Sequence, residues 1–441
     1  MTHDQIADHP GATAAILPGP WAPLHGRVFR WLWIAGLVSN VGTFMHLVAA
    51  GWAMSSLSNS PTIVSLTQTA WTVPGFLLAL HAGALADIFD RRRLILVTQL
   101  VALVVAAALG ALDLSDRLGI ATLLMGTFLL SVALTLAAPA FTALTPDLVS
   151  SDLLPQAFGL DSISRNIAQS IGPAIAGTVI ALGGTGAVFV VNAASFVGVV
   201  IVVSCYRPVT ARPIDAQPIV EAIRVGVHFF RRSSRLRRLA VRLGTAWGIN
   251  ASVMALLPVL SRVRLHATAR EFGLLSAALG VGAVAAVWLL PRVGAATQPD
   301  RVVFGAAGVW SLGAVLLGGT TTLAVAIVGL GLIGAGAMAT LNVLFSRYVM
   351  HVPAWVRGRA ASLAMLTVWL STSLGAVGWG ALATAAGLPA ALFVAAIVNL
   401  ATSAILATAW RIGSGDMAPD PLPDEGRLAT PESELRSLPP R

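Results

Sequence analysis

Residues 94–112 read LILVTQLVALVVAAALGAL and contain no charged side chain. A helix that crosses a hydrocarbon core about 30 Å thick needs roughly 20 mostly apolar residues. In lipid the backbone N–H and C=O groups must also bond within their own helix, since no water is present to satisfy them. This stretch therefore predicts a membrane-spanning helix.

Similar stretches recur along the chain and predict an all-α membrane protein with twelve spans. Only 11% of its residues are charged and 56% are hydrophobic, whereas an ordinary soluble domain is about 25% charged. The spans are predicted near residues 29–54, 62–86, 94–112, 119–145, 157–182, 186–206, 239–262, 271–291, 301–319, 321–349, 357–384 and 388–410.

All 28 basic residues are arginines, and the formal net charge is +9. They lie in short runs between apolar stretches rather than along one polar face, which argues against nucleic acid as a partner. Arginine in short loops marks the cytoplasmic side of a membrane. With twelve spans and both termini inside, only Arg117, Arg262, Arg264 and Arg270 lie outside. We expect a multi-pass protein of the inner (plasma) membrane with cytoplasmic termini.

The spans divide into two halves of six, joined by an arginine-rich linker. In that linker Ile219, Ile223, Val227 and Phe230 recur at helical spacing, which predicts an amphipathic helix at the membrane surface. The predicted units are a cytoplasmic N-terminal tail (1–28), a first six-helix bundle (29–206), the linker (207–238), a second six-helix bundle (239–411) and a disordered cytoplasmic tail (412–441) rich in Pro, Asp and Glu.

A weak internal repeat relates the two halves. An offset of 210 residues aligns Asn40 with Asn250, and an offset of 203 aligns Gly172 and Gly177 with Gly375 and Gly380. Repeats of this kind are typical of transporters built from two bundles around a central path.

The loop between spans two and three, GALADIFDRRRL at residues 83–94, carries a specific pattern. With its twelve spans, the chain resembles the major facilitator superfamily over about residues 25–411. Gly83, Asp87, Arg91 and Arg92 take the places of that superfamily's motif Gly-x-x-x-Asp-Arg-x-Gly-Arg-Arg, while Ile88 and Asp90 depart from it. Three further segments, TPDLVSSDLLPQAFGLDS among them, are similar to the branch of transmembrane secretion effectors that includes the enterobactin exporter.

The resemblance implies two six-helix bundles that work by alternating access, with a cytoplasmic gate at this loop. Asp87 would meet the N-terminus of span eleven, near VPAWVRGRA, when the inner side is closed. Arg91 or Arg92 would pair with Asp147 at the end of span four.

Span five resembles the antiporter signature of drug-exporting relatives. Gly159, Gly172, Pro173 and Gly177 stand at its positions, with alanine replacing glycine at 168 and 176. In such relatives the resulting bend is associated with a seal against leakage. Generic helix packing is the alternative, because Gly and Pro are common in membrane helices.

Several polar and aromatic residues lie in central parts of the spans and are candidates for a substrate cavity. Such residues are costly in lipid and should face the bundle interior, although hydrogen bonding and packing between helices would also explain them. They are Asn40, Gln68, Trp71, Trp247, Asn250, Asn342 and Trp369.

For proton coupling, the candidates are His46, near the middle of span one, and Asp161 with Arg165 at the start of span five. A histidine titrates near neutral pH, but a structural histidine is the alternative. Asp161 and Arg165 are four residues apart, so they can also form a simple pair on one helix face.

The sequence contains no Gly-rich phosphate loop, no HExxH and no cysteine pair, so we expect no enzyme activity, cofactor or metal. The leading hypothesis is a monomeric secondary transporter that exports a small molecule (a siderophore, drug or secondary metabolite) by alternating access, coupled to protons in antiport. An uptake permease is one alternative. A membrane scaffold or sensor that has kept the fold without transport is another.

Overall fold

The computed structural model describes residues 19–206, 228, 230–294, 298–350, 352 and 357–410. Within these residues the chain forms long helices and no strand. The helices are α1 (Arg27–Leu57), α2 (Pro61–Ile88), α3 (Arg91–Leu114), α4 (Ile120–Leu148), α5 and α6 within the run Leu154–Cys205, α7 (Ser234–Val259), α8 (Ala269–Gly294), α9 (Pro299–Gly319), α10 (Leu323–Met350), α11 (Arg357–Ala386) and α12 (Leu388–Ala409).

One glycine divides the run Leu154–Cys205 into two helices. Gly184 has φ 78° and ψ 178°, so α5 (154–183) ends there and α6 (185–205) begins. Gly387 has φ 90° at the junction of α11 and α12. Glycine adopts a positive φ readily because it lacks a Cβ. The two glycines are 203 residues apart, which is the offset of the sequence repeat, so both halves turn from their fifth to their sixth helix in the same way.

The all-α membrane fold predicted from the sequence is confirmed. Ten helical segments of the described residues are long and apolar enough to cross a membrane. One of them covers both α5 and α6, and α2, with 28 residues, is not among the ten. With that segment divided at Gly184 and α2 included, the described residues form twelve long helices, the number that the sequence predicts.

Two helices begin earlier than predicted because a side chain caps each of them. Asp90 Oδ1 accepts from the Arg93 N–H at 2.8 Å, so α3 already includes the arginine run in its first turn. Ser233 Oγ accepts from the Leu236 N–H at 3.2 Å and starts α7. A capping side chain satisfies one of the free N–H groups of the first turn.

Some predicted segments lie outside the described residues. These are most of the linker with its amphipathic helix (207–227), the C-terminal tail (412–441) and the first part of the N-terminal tail (1–18).

Successive helices run in opposite directions, which gives the molecule two ends. The arginine-rich end holds the starts of the odd-numbered helices and the ends of the even-numbered helices, including the α2–α3 loop with Arg91 to Arg93. The opposite end holds the α1–α2 and α7–α8 loops.

The hydrophobic core differs between the two ends. At the opposite end one cluster crosses both bundles and includes Met54 and Phe189 of the first bundle and Leu256 and Phe272 of the second. At the arginine-rich end each bundle has its own cluster, one around Leu243 and Tyr348 and others in the first bundle around α3 and α4. Among the described residues, hydrophobic packing therefore joins the two bundles at the opposite end, whereas each cluster at the arginine-rich end belongs to one bundle.

The two main crossings between bundles are α5 with α8 and α2 with α11. A Cβ built on Gly177 would lie 2.7 Å from the Cα of Gly273, and a Cβ built on Gly380 would lie 2.9 Å from the Cβ of Ser65. Gly177 and Gly380 are equivalent under the 203-residue offset. The repeat therefore places a glycine at both crossings, where small residues let the backbones approach.

Glycines also set the packing inside the second bundle, which yields a stability prediction. A Cβ on Gly282 of α8 would collide with the backbone carbonyl of Gly331 of α10, whereas a Cβ on Gly308 of α9 would meet nothing within 4 Å. Gly282→Ala should lower the stability of the purified protein by ~1–3 kcal/mol, the usual cost of overpacking. Thermal unfolding in detergent would measure it. Gly308→Ala is the matched control, and equal melting temperatures for the two variants would contradict this packing.

Candidate functional site

A cluster of charged side chains ties the first bundle together at its arginine-rich end. Arg91 Nη1 donates to the Ala143 carbonyl at 2.8 Å and lies 3.2 Å from Asp147 Oδ2. Arg92 Nε donates to the Val203 carbonyl at 2.9 Å. Burial, and then the Asp147 carboxylate, raise the pKa of Tyr206. Of the two arginines, Arg91 contacts Asp147, the predicted partner, while Arg92 is hydrogen-bonded to the C-terminal end of α6.

These contacts lie within the first bundle, so they do not by themselves join the two bundles. The side chain of Asp87 and residues 353–356 before α11 lie outside the described part of the chain. The pairing of Asp87 with the start of α11 therefore stays a prediction.

A pocket of ≈ 270 Å³ opens in the arginine-rich half of the first bundle, between α1, α4 and α5. Its walls carry four aromatic side chains, those of Phe29, Trp33, Phe141 and Phe158. The indole N–H of Trp33 donates to the Leu160 carbonyl at 2.9 Å, which fixes the ring against α5.

Polar groups also line this pocket. Asn40 Nδ2 donates to Ser164 Oγ at 3.0 Å, linking α1 to α5. Asp161 and Arg165 pair at 2.8 Å on α5, and each of their side chains is more than half exposed. Gln99 of α3 also lines the pocket, and the sequence did not identify it as a candidate. An aromatic wall with a few convergent polar groups is typical of a small-molecule site.

Of the predicted cavity residues in the first bundle, Asn40 lines this pocket and the others lie elsewhere. Gln68 is half-buried on α2. Trp71 packs against a cluster inside the first bundle that includes Ala102 and Leu130.

The predicted cavity residues of the second bundle also make other contacts. Asn250 Oδ1 accepts from the Trp310 indole N–H at 3.0 Å, inside the bundle. Asn342 Nδ2 donates to a carbonyl of its own helix, and Trp247 packs on the cluster around Leu243. Trp369 lies at the α2–α11 crossing, where a Cβ on Gly75 would be 2.8 Å from its ring.

His46 is fully buried between α1 and α6. Its ring centroid lies 4.9 Å from that of Phe189, and neither ring nitrogen has a hydrogen-bond partner in the described residues. It does not line the pocket, in contrast to Asp161 and Arg165.

The glycines of the antiporter-like motif have different neighbours. A Cβ on Gly172 would lie 2.9 Å from the Cβ of Phe44, so this glycine packs α5 on α1 within the first bundle. Gly177 and the carbonyl of Pro173 meet Gly273 of the second bundle. A Cβ on Gly159 would meet nothing within 4 Å.

An aromatic contact joins the bundles at the opposite end, and the sequence analysis missed it. Trp52 of α1 stacks on Phe272 of α8, with centroids 5.2 Å apart and planes 25° apart. The guanidinium of Arg262 lies 5.3 Å from the Trp52 ring centroid, a cation–π distance. We call these three residues the outer latch. The signal in the sequence that could have pointed to this contact was Arg262, an arginine on the side of the membrane where arginines are otherwise few.

Comparison with known proteins identifies the family. A family model described as transmembrane secretion effector matches residues 18–427. The chain belongs to this family of major facilitator transporters.

Its relatives include transporters of several kinds. The multidrug efflux pump Tap of Mycolicibacterium fortuitum is 26% identical over 88% of this chain and 97% of the pump. The staphyloferrin A transporter of Staphylococcus aureus is 25% identical over 60% of this chain and 67% of that protein. The enterobactin exporter EntS of Citrobacter koseri is 26% identical over 66% of this chain and 72% of the exporter.

Solved structures show the same fold. A bacterial homologue of the human lysosomal transporter Spinster, in an inward-facing and occupied conformation, has a TM-score of 0.70 at 14% identity. That alignment covers 91% of this chain and 99% of the homologue. The POT family transporter PepTSo has a TM-score of 0.69 at 11% identity, and the alignment covers 87% of this chain and 97% of PepTSo. At these identities the likeness concerns the fold alone.

The contact between Gly177 and Gly273 predicts how one variant shifts the conformational equilibrium. Gly177→Ala places a methyl group against the α8 backbone only while the opposite end is closed, so it should favour the state open at that end. Spin labels can be attached at Asn59→Cys and Thr321→Cys in a Cys205→Ser background. Double electron–electron resonance should then give a larger distance between the labels in Gly177→Ala than in the protein that keeps Gly177.

Gly159→Ala is the matched control, because it adds the same methyl group to the same helix in open space. Identical distance distributions for the two variants would exclude Gly177 as a closing contact.

Proposed function

We propose that this chain is a secondary transporter that exports an amphipathic small molecule, such as a siderophore, drug or secondary metabolite, by alternating access. The main support is the asymmetry of the core, which crosses both bundles at the opposite end and is divided at the arginine-rich end. The positive-inside rule assigns the arginine-rich end to the cytoplasm. The pocket then faces the cytoplasm, where an exporter takes up its substrate.

The transport cycle requires contacts that exist in only one of the two states. In the state described here the opposite end is held by the outer latch and by the Gly177–Gly273 contact. Release of the substrate to the outside requires these contacts to separate. We propose that Asp87, with Arg91 and Asp147 positioned beside it, closes the cytoplasmic end in the other state.

We further propose that protons drive this export and that Asp161 carries the exchanged proton. Asp161 lines the pocket, is half exposed and pairs with Arg165, so its protonation would release the arginine next to the bound substrate. His46 is less suited in this state, since it is fully buried without a polar partner. Substrate and proton would then compete for binding at the Asp161–Arg165 pair.

The described residues of a single chain form both bundles and the lining of the pocket, which supports a monomer. The positive-inside rule supports an inner-membrane protein with both termini in the cytoplasm. The relatives suggest siderophores and drugs as substrate classes, because their names include a siderophore exporter and a multidrug pump.

Transport in inside-out vesicles tests both direction and coupling. The wild-type protein should accumulate substrate when the vesicle lumen is acidified, and Asp161→Asn should lose this proton-driven accumulation by at least tenfold. Asp161→Asn should still exchange labelled for unlabelled substrate, because exchange needs no net proton movement. Asp152→Asn is the control, because Asp152 is an exposed carboxylate in the short turn before α5 and lies outside the pocket.

Each alternative predicts a different outcome. Accumulation only into intact cells would support an uptake permease. The absence of substrate flux in proteoliposomes would support a scaffold or sensor. Full proton-driven accumulation by Asp161→Asn would exclude this residue from coupling.

A further inference from the structure

The amide of Gln99 is an exception among the buried polar groups of the pocket wall. Gln99 lies on α3, its exposed fraction is 2%, and its Oε1 has no hydrogen-bond partner in the described residues. Leaving a buried acceptor unpaired is unfavourable relative to a satisfied one, because the lost hydrogen bonds to water are not replaced. Buried polar groups are normally paired, so an unpaired one at a pocket wall points to a ligand.

Two other buried polar residues, Thr98 and Asn399, are satisfied by the fold itself. Thr98, the neighbour of Gln99, donates to the carbonyls of Leu94 and Ile95 at 2.8 and 3.0 Å. Asn399 in the second bundle donates to the Ala307 carbonyl at 3.1 Å and to Ser311 Oγ at 3.2 Å. Neither residue needs a ligand, whereas Gln99 lines the pocket and its Oε1 has no such partner in the described part of the chain.

The charges around the pocket restrict what can bind there. Asp161 and Arg165 line it as a close pair with no net charge. The remaining polar lining, such as Asn40, Ser164 and Thr142, consists of amides and hydroxyls. A ligand with several negative charges would meet no uncompensated cation among the described lining residues. A charge that is buried without a partner is strongly disfavoured.

From these observations we infer that Gln99 determines the specificity of this pocket. Its ligand would be an uncharged or zwitterionic aromatic compound with an amide or hydroxyl group that pairs with the Gln99 amide. The aromatic walls would hold the ring system, and the volume of ≈ 270 Å³ is close to the lower end of small-ligand sites, about 300 Å³. This inference rests on the proposed transport function and defines the substrate class of the same site.

The unpaired amide allows a structural role to be separated from a binding role. Gln99→Met keeps the length of the side chain and removes its hydrogen-bonding groups. Because the Oε1 of the wild-type amide has no partner among the described residues, the variant should be as stable as the wild type or more stable without ligand. If Gln99 binds the ligand, the same variant should bind it more weakly.

The test uses the purified full-length chain in lipid nanodiscs and three aromatic probes. These are chloramphenicol, which is uncharged and carries an amide and hydroxyls, norfloxacin, which is zwitterionic, and fluorescein, which is dianionic. Equilibrium binding should favour the first two over fluorescein. Gln99→Met should weaken their binding by about three- to tenfold, as expected for one hydrogen bond, with an unchanged or higher melting temperature. Thr98→Val, the adjacent buried residue of α3, should leave both quantities unchanged.

Three results would overturn the inference: unchanged probe affinity in Gln99→Met, a melting temperature lowered in parallel with affinity, or wild-type binding of fluorescein alone or of none of the probes. Continued export of other compounds in those cases would leave the proposed function intact. A wild-type protein that moves no compound in proteoliposomes would instead contradict the proposed function.

Discussion

The close approach of α5 and α8 at Gly177 and Gly273 is the contact on which the arrangement of the two bundles depends. In lipid no hydrophobic force drives one apolar helix against another, so association relies on close packing and on a few polar contacts. The α2–α11 crossing repeats this solution at Gly380, where Thr72 and Ser373 add a hydroxyl contact of 2.7 Å. Both crossings are tight in the half towards the opposite end, and the molecule is consequently divided at the arginine-rich end.

This distribution of contacts separates the parts that move from the parts that stay fixed. Arg91 and Arg92 connect α3 to α4 and α6 within the first bundle, and Arg242 connects α7 to Asp300 of α9 at 2.7 Å within the second. Such contacts keep each bundle rigid. The contacts between bundles at the opposite end involve small residues and the stacked rings of the outer latch, of which Phe272 is buried and Trp52 half-buried. Two rigid bundles that rock about such crossings are the general design of transporters with internal repeats.

The sequence predicted the helices well because lipid forces every span to satisfy its own backbone, which leaves a long apolar signature. It predicted the candidate site less well, because hydropathy does not show which neighbour a polar side chain on a helix will face. Asn250, for example, faces Trp310 inside the second bundle rather than a cavity. The motif in span five identified Gly177 but could not name Gly273, which has no counterpart in that motif.

Gln99 was missed because α3 is mostly apolar, and the sequence LILVTQLVALVV does not show which neighbour its single amide will face. Only the structure shows that the pocket between α1, α4 and α5 extends back to this helix.

The central claim is that transport requires the opposite end to open, and a reversible cross-link tests it directly. The hydroxyls of Thr62 on α2 and Thr384 on α11 are 2.8 Å apart across the bundles at that end. In a Cys205→Ser background, oxidation of a Thr62→Cys and Thr384→Cys pair should form a disulfide that abolishes substrate flux in proteoliposomes, and reduction should restore the flux. Undiminished flux through fully cross-linked protein would contradict the account.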